Sequence, residues 1–315
     1  MNKGTKIAIV GAGRVGSTLA YTLAASGIVR EIVLIDADRL RAEGEAMDIV
    51  HAVAFSSPVT IKAGEMVEAA GAALTVIAAG AAQQVGESRR ALLQRNAAVL
   101  RGMIPEIVRI NPEGLLLIAT NPVDALTAIA LRLSGLPSMR VFGSGTVLDT
   151  ARLRAELSTH YAVDARNVHA YVLGEHGDSE LVAWSSARLA TVPLNEFCKM
   201  AAMSCTSEDM AAMESRVREA AYQIIRRKGA TNFAIAKALM RIIEAVVRDE
   251  GAVLTVSTLV EGQYGIQGVC LSLPAVIDAS GIRLVIRIPL SKDEEAHLVQ
   301  SAAAVRAMLE SIEHS

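Results

Sequence analysis

Short, nearly unbroken apolar runs punctuate the first half of the chain, at residues 6–10, 31–36, 74–78, 115–119 and 140–142. They are rich in Ile, Val and Leu and do not alternate with polar positions, which is the pattern of strands covered on both faces. Between them, apolar residues recur at helical spacing over 15–26, 41–54, 89–103 and 123–134. Strand and helix in regular succession predict an α/β fold with a parallel, doubly wound sheet. Pro105 and Pro112 fall in the long central helical region. They are expected to split it, because proline lacks the N–H that a helix interior needs.

After about Gly145 the pattern changes. A helical stretch at 147–160 leads to an apolar run at 168–172 and then to Gly174-Glu175-His176-Gly177-Asp178-Ser179. Two longer helical stretches follow at 208–227 and 232–247, then β-like runs at 253–257, 269–273 and 283–288, and an amphipathic stretch at 293–312. This half reads as α+β. The boundary is set near Ser144, giving residues 1–144 and 145–315 as two domains.

Composition narrows the class. With 315 residues, 52% hydrophobic and 20% charged, the chain can bury a sizeable core and is not disordered. Aromatics are only 3%, so that core rests on Ala, Val, Leu and Ile. A net charge of −2 with no basic tract argues against nucleic-acid binding through a charged surface. Cys198, Cys205 and Cys270 are odd in number and lack paired metal-ligand spacing, so idle thiols and no metal are expected. The N-terminus has no signal-peptide pattern, and no apolar run approaches the ~20 residues that span a bilayer. A cytoplasmic protein without a membrane partner is the expectation.

Two segments carry chemistry. Gly11-Ala12-Gly13-Arg14-Val15-Gly16 follows the first strand and opens a helix. In that setting glycines let the backbone approach a pyrophosphate, and the helix N-terminus supplies free N–H groups. Asp36 ends the second strand, where a carboxylate accepts both ribose hydroxyls and repels a 2′-phosphate, favouring NAD. In the second segment His176 stands between glycines, and histidine titrates near neutrality, so it suits proton transfer.

A site for a 2-oxo or 2-hydroxy acid would also need an anion clamp and a cation to polarise the carbonyl. Arginine matches a carboxylate bidentately. Asp149 and Arg152, three apart, share one side of a helix, although such a pair by itself is commonly a surface ion pair. Arg89 ends the small, polar, glycine-bounded segment 80–89 after the third apolar run, where a lid could close over a ligand.

Together these motifs, with Thr120-Asn121-Pro122-Val123-Asp124 and Gly145-Thr146-Val147-Leu148-Asp149-Thr150-Ala151-Arg152, resemble the NAD-dependent L-lactate and malate dehydrogenase superfamily over essentially the whole chain. The resemblance implies a Rossmann domain followed by a catalytic domain. It implies His176 as proton donor and acceptor, Asp149 as its orienting partner, Arg152 as the carboxylate clamp and Arg89 as the polarising cation. Asn121 would bond substrate or nicotinamide, with a cis bond to Pro122, and Thr231 would line the substrate pocket. Cofactor contacts are implied at Gly11, Gly13, Val15, Gly16, Asp36, Arg41, Gly80, Ala81, Asn121 and Ser144.

Substrate choice falls to Gln83, which is glutamine in lactate-specific relatives and arginine in malate-specific ones. An uncharged amide leaves a second carboxylate uncompensated in a dry site, so pyruvate and lactate are expected. Arg154 and His169 match positions that bind fructose 1,6-bisphosphate at a subunit interface in many bacterial relatives, which implies activation by that sugar. A homotetramer is implied too. Malate dehydrogenase is the nearest alternative, and a catalytically silent NAD-binding sensor is an alternative of another class. Departures from the family pattern are Gln84-Val85 in the lid, Asn232-Phe233 after Thr231, and Met66 near the adenine position.

Overall fold

The computed structural model describes residues 5–55, 58–81 and 88–313, the side chains of Arg89 and Glu313 excepted. The first half runs β1 (Lys6–Val10), α1 (Arg14–Ser26), β2 (Glu31–Ile35), α2 (Arg39–Val53), β3 (Thr60–Ala63), β4 (Leu74–Ile77), α3 (Arg89–Ile110), β5 (Leu115–Ile118), α4 (Val123–Ser134) and β6 (Val141–Gly143). The second begins with α5 (Val147–Tyr161) and five two-residue strands: β7 (Val168–His169), β8 (Val172–Leu173), β9 (Leu181–Val182), β10 (Arg188–Leu189) and β11 (Val192–Pro193). It continues with α6 (Leu194–Ala201), α7 (Ser207–Lys228), α8 (Phe233–Val247), β12 (Ala252–Glu261), β13 (Gln267–Asp278), β14 (Gly281–Val285) and α9 (Lys292–Glu313).

The main sheet orders its strands β14-β13-β12-β6-β5-β4-β1-β2-β3. From β3 to β6 the pairings are parallel, and β12 joins β6 antiparallel through Ser257 and Gly143. The expected doubly wound α/β sheet is therefore present, and strands from the second half extend it. Its order reverses between β1 and β4, the crevice where such sheets bind ligands. Two apolar cores cover its faces, one including Ile118, Leu126 and Leu271, the other Ile9, Leu117 and Ile243. A third, around Leu153, Tyr161, Val172 and Val217, ties α5 and α7 to the small strands.

Two sequence expectations need correction, and several short elements escaped the apolar pattern. Helix α3 is not split: it runs through Pro105 to Ile110. Pro105 is exposed while Leu100, Ile104 and Ile107 stay buried, so the carbonyl deprived of its donor can turn to water and the apolar face continues. The run at 168–172 is not one strand. Residues Val168–His169 pair with β10 and Val172–Leu173 with β9, in different sheets. Finally, β3 was not anticipated, because Thr60-Ile61-Lys62-Ala63 is a short edge strand with little apolar signal. No helix among the described residues is long and apolar enough to cross a membrane.

Candidate active site

The crevice beside β1 and β4 opens into a groove of about 570 Å³, lined by Gly11, Gly13, Asp36, Arg41, Gly80 and neighbours. Its glycines do different things. Gly11 sits at φ +106°, and a Cβ there would lie 2.4 Å from the Ala79 amide nitrogen. A Cβ on Gly16 would lie 1.8 Å from the Gly11 carbonyl oxygen. These two let the turn fold on itself, whereas Gly13 faces open space and leaves the groove clear. No side chain caps α1, so its first N–H groups remain available to an anion. Asp36 braces the same turn by accepting the Ala12 N–H at 2.7 Å.

At the carboxyl end of the sheet, α5 carries the second cluster. Buried threonines fasten that helix: Thr146 donates to the Val172 carbonyl at 2.6 Å, and Thr150 bonds Thr255 at 3.0 Å. The loop after β8 is held from two other elements. Ser301 of α9 accepts the Glu175 N–H at 2.8 Å, and Asp124 of α4 accepts the His176 N–H at 2.7 Å. Gly174, at φ +94°, is required by contact with Ser301, where a Cβ would meet the hydroxyl at 2.7 Å.

These supports bring His176, Asp149 and Arg152 together. Asp149 is 1% exposed, so it is no surface ion-pair partner. One of its oxygens takes Arg152 Nη1 at 2.7 Å, and the other meets His176 Nδ1 at 2.6 Å. Among the described residues, Nε2 is thus the ring nitrogen left free. Burial by itself would lower the His176 pKa, but the Asp149 charge and hydrogen bond, aided by Glu180 and Asp124, raise it to about 9. Burial pushes Asp149 the other way, toward protonation, and His176 and Arg152 more than offset it, holding its pKa below the usual value. Arg152 Nη2 is buried and has no hydrogen-bond partner among the described residues. His176, Arg152, Asp149, Asn121, Glu180 and Arg218 line one cavity of about 160 Å³.

Other predicted residues fall as follows. The Asn121–Pro122 bond is cis, and Asn121 lines the cavity. Thr231 is half-buried between α7 and α8 and does not line it, because the chain there turns toward α1, where Asn232 bonds Thr18 at 2.9 Å. Val15, Ala81 and Ser144 are not among the groove residues, and Gly16 is buried behind Gly11. Gln83 lies outside the described residues; Arg89 opens α3, with its side chain outside them. Arg154 and His169 lie apart from the cluster. Arg154 stacks over the Tyr171 ring at 5.5 Å and lines a separate cavity of about 430 Å³, whereas His169 is exposed opposite Arg188.

Residue reading missed three groups. Asp124, inside a recognised motif but given no role, binds the His176 backbone and Ser257, and burial pushes its carboxyl up to about 6. Asn96 accepts the Ala81 N–H and donates to the Asn121 carbonyl, both at 2.8 Å. Glu180 enters the cavity from just beyond the recognised loop. A polar residue on an apolar helical face was the available signal for Asn96; the other two had none.

Fold and groove together define a dinucleotide-binding protein of the doubly wound type. The NAD binding domain of lactate/malate dehydrogenase matches residues 5–143, and the alpha/beta C-terminal domain of the same enzymes matches 146–315. The chain is 44% identical over 312 residues to L-lactate dehydrogenase 1 of Clostridium acetobutylicum, covering 99% of this chain and all of the relative. It is 46% identical to an L-lactate dehydrogenase of a Thermoanaerobacter species, covering 98% of this chain and 99% of that one. A solved lactate dehydrogenase from a Medee basin deep-sea metagenome library superposes with a TM-score of 0.95 at 42% identity, covering 98% of this chain and 99% of the other. The chain belongs to the lactate/malate dehydrogenase family. It is an NAD-dependent oxidoreductase, and the clear groove, uncapped helix and acid-ended second strand fit that cofactor.

Proposed function

We propose that this chain is an L-lactate dehydrogenase interconverting pyruvate and L-lactate. One observation carries the reading: a single buried carboxylate joins an imidazole to a guanidinium whose remaining Nη2 has no hydrogen-bond partner among the described residues. That nitrogen is offered to a substrate carboxylate, with which a charge-assisted hydrogen bond is strong. Bound NADH supplies the hydride. His176 donates its Nε2 proton to the carbonyl oxygen during reduction and takes the hydroxyl proton during oxidation. Asp149 keeps Nδ1 protonated and stabilises the imidazolium, so the free nitrogen faces the reaction.

Arg89 is assigned to carbonyl polarisation and Asn121 to a substrate contact; for Thr231, which does not line the cavity, the family resemblance alone supports a substrate contact. Gly11, Gly13, Val15, Gly16, Asp36, Arg41, Gly80, Ala81, Asn121 and Ser144 are assigned to NAD. The cofactor and catalytic domains are taken to divide between Ser144 and Gly145. Gln83 supports pyruvate over oxaloacetate, because it leaves a second carboxylate without a counter-charge. The names of the similar enzymes support the same substrate pair. Malate dehydrogenase is the second reading, favoured only by the shared family.

NADH absorbance decides between them. Pyruvate should be turned over far faster than oxaloacetate, with Gln83→Arg shifting the preference toward oxaloacetate. Faster oxaloacetate turnover by the unaltered enzyme would overturn the assignment. Activation by fructose 1,6-bisphosphate through Arg154 and His169, a homotetramer, and a cytoplasmic role in fermentative glycolysis complete the reading.

A further inference from the structure

The chemistry above leaves one group in the substrate cavity unused. Glu180 is 3% exposed and lines that cavity with Arg152 and His176. A carboxyl oxygen of Glu180, an Asp149 oxygen and a His176 ring nitrogen lie within 4.8 Å of one another. Yet the Glu180 carboxyl takes no hydrogen bond or ion pair among the described residues. A carboxylate without such partners is costly to bury.

Charged and titratable groups face it from every side. From α5 come Asp149 and Arg152, and from its own loop His176. From α7 comes Arg218, which donates to the Glu180 backbone carbonyl at 3.3 Å and is held by Glu214 at 2.8 Å, with Tyr222 one turn further along. Asp124 of α4 acts through His176. Among the described residues, both guanidinium groups keep a buried nitrogen without a hydrogen-bond partner, Nη2 of Arg152 and Nε of Arg218.

We propose that Glu180 sets the charge of the substrate cavity. As a neutral acid it leaves Arg152 free for the substrate carboxylate; as a carboxylate it competes with that substrate for the same cation. Glu180 is then a positioning residue that governs affinity rather than proton transfer. The proposal rests on Arg152 being the clamp. Burial, reinforced by the Asp149 charge and opposed by His176, Arg218 and Arg152, raises the Glu180 pKa to about 8, so the neutral form prevails at neutral pH.

The test uses the oxidation direction, because loss of the His176 proton promotes lactate oxidation and cannot by itself weaken lactate binding. Steady-state lactate oxidation at saturating NAD would be followed from pH 7 to 9.5. Because loss of the His176 proton itself favours lactate over this range, KM is compared at each pH with that of Glu180→Gln. The ratio of the unaltered enzyme's KM to that of Glu180→Gln should rise on the order of tenfold from pH 7 to 9.5, and Glu180→Asp should behave like the unaltered enzyme. A ratio that stays constant with pH, or falls, would refute the proposal. Absence of any lactate turnover would instead overturn the lactate reading itself.

Discussion

Asp149 divides its two oxygens between His176 and Arg152, so one substitution tests both attachments. Asp149→Asn removes the charge that lifts His176 to about 9. The protonated imidazole, present below that pKa and lost above it, is the form that reduces pyruvate. The alkaline limb of pyruvate reduction should therefore move down by more than a unit, toward the ordinary range near 6.5 or below. The kcat should fall by about 10²–10⁴-fold, since the imidazole loses its tautomer as well as its stabilisation. A pH profile whose alkaline limb stays in place would show that Asp149 does not control the proton. At this scale the sequence was informative wherever a residue type carries its chemistry with it. His176 was recognisable so, and Asp36 by its place after a strand, whereas Asp149 and Arg152 took their roles from the family resemblance. Glu180 and Asp124 were not, because a carboxylate in a sequence carries no record of its burial. Their altered proton affinities arise from desolvation and from partners such as Ser257, 133 positions away.

Among elements, α3 does more than its amphipathic pattern conveys. Asn96 on its buried face is 1% exposed and ties the end of the β4 crossover to the cis Asn121–Pro122 segment. Asn96→Ala leaves the Ala81 N–H and the Asn121 carbonyl without their partner. The variant should lose about 1–3 kcal/mol of stability. It should also raise the KM for pyruvate, because Ala81 and the cavity wall at Asn121 lose a common anchor. Thermal melts together with KM measurements check this; unchanged values in both would remove the anchoring role. The boundaries of α1, α4, α5 and α8 were legible to within a residue or two, because periodicity and glycine or proline at the ends are local signals. The continuation of α3 through Pro105 and the break between β7 and β8 were not. Solvent exposure decides the first and a change of sheet partner the second.

In the whole molecule, the two halves share one sheet, with β12 to β14 added beyond β6. Arg154 projects from the same helix as Arg152 into a different cavity, which Lys237 and the Glu250-paired Arg241 also line. The proposed bisphosphate activation is tested there. Fructose 1,6-bisphosphate should lower the KM for pyruvate near neutral pH, and Arg154→Gln should abolish that response. Titration of the unaltered enzyme with no change in KM would refute it.

The order of strands and helices, the glycine turn before α1 and the residue types available for proton transfer and anion binding were set by the chain alone, because each depends on neighbours a few positions apart. Which carboxylates lie beside His176, which guanidinium nitrogen is left without a partner, and how burial shifts each proton were decided only when α4, α5, α7 and the loop after β8 were packed against one another. Desolvation and Coulomb interaction depend on distance in space, and the linear order of residues does not contain it.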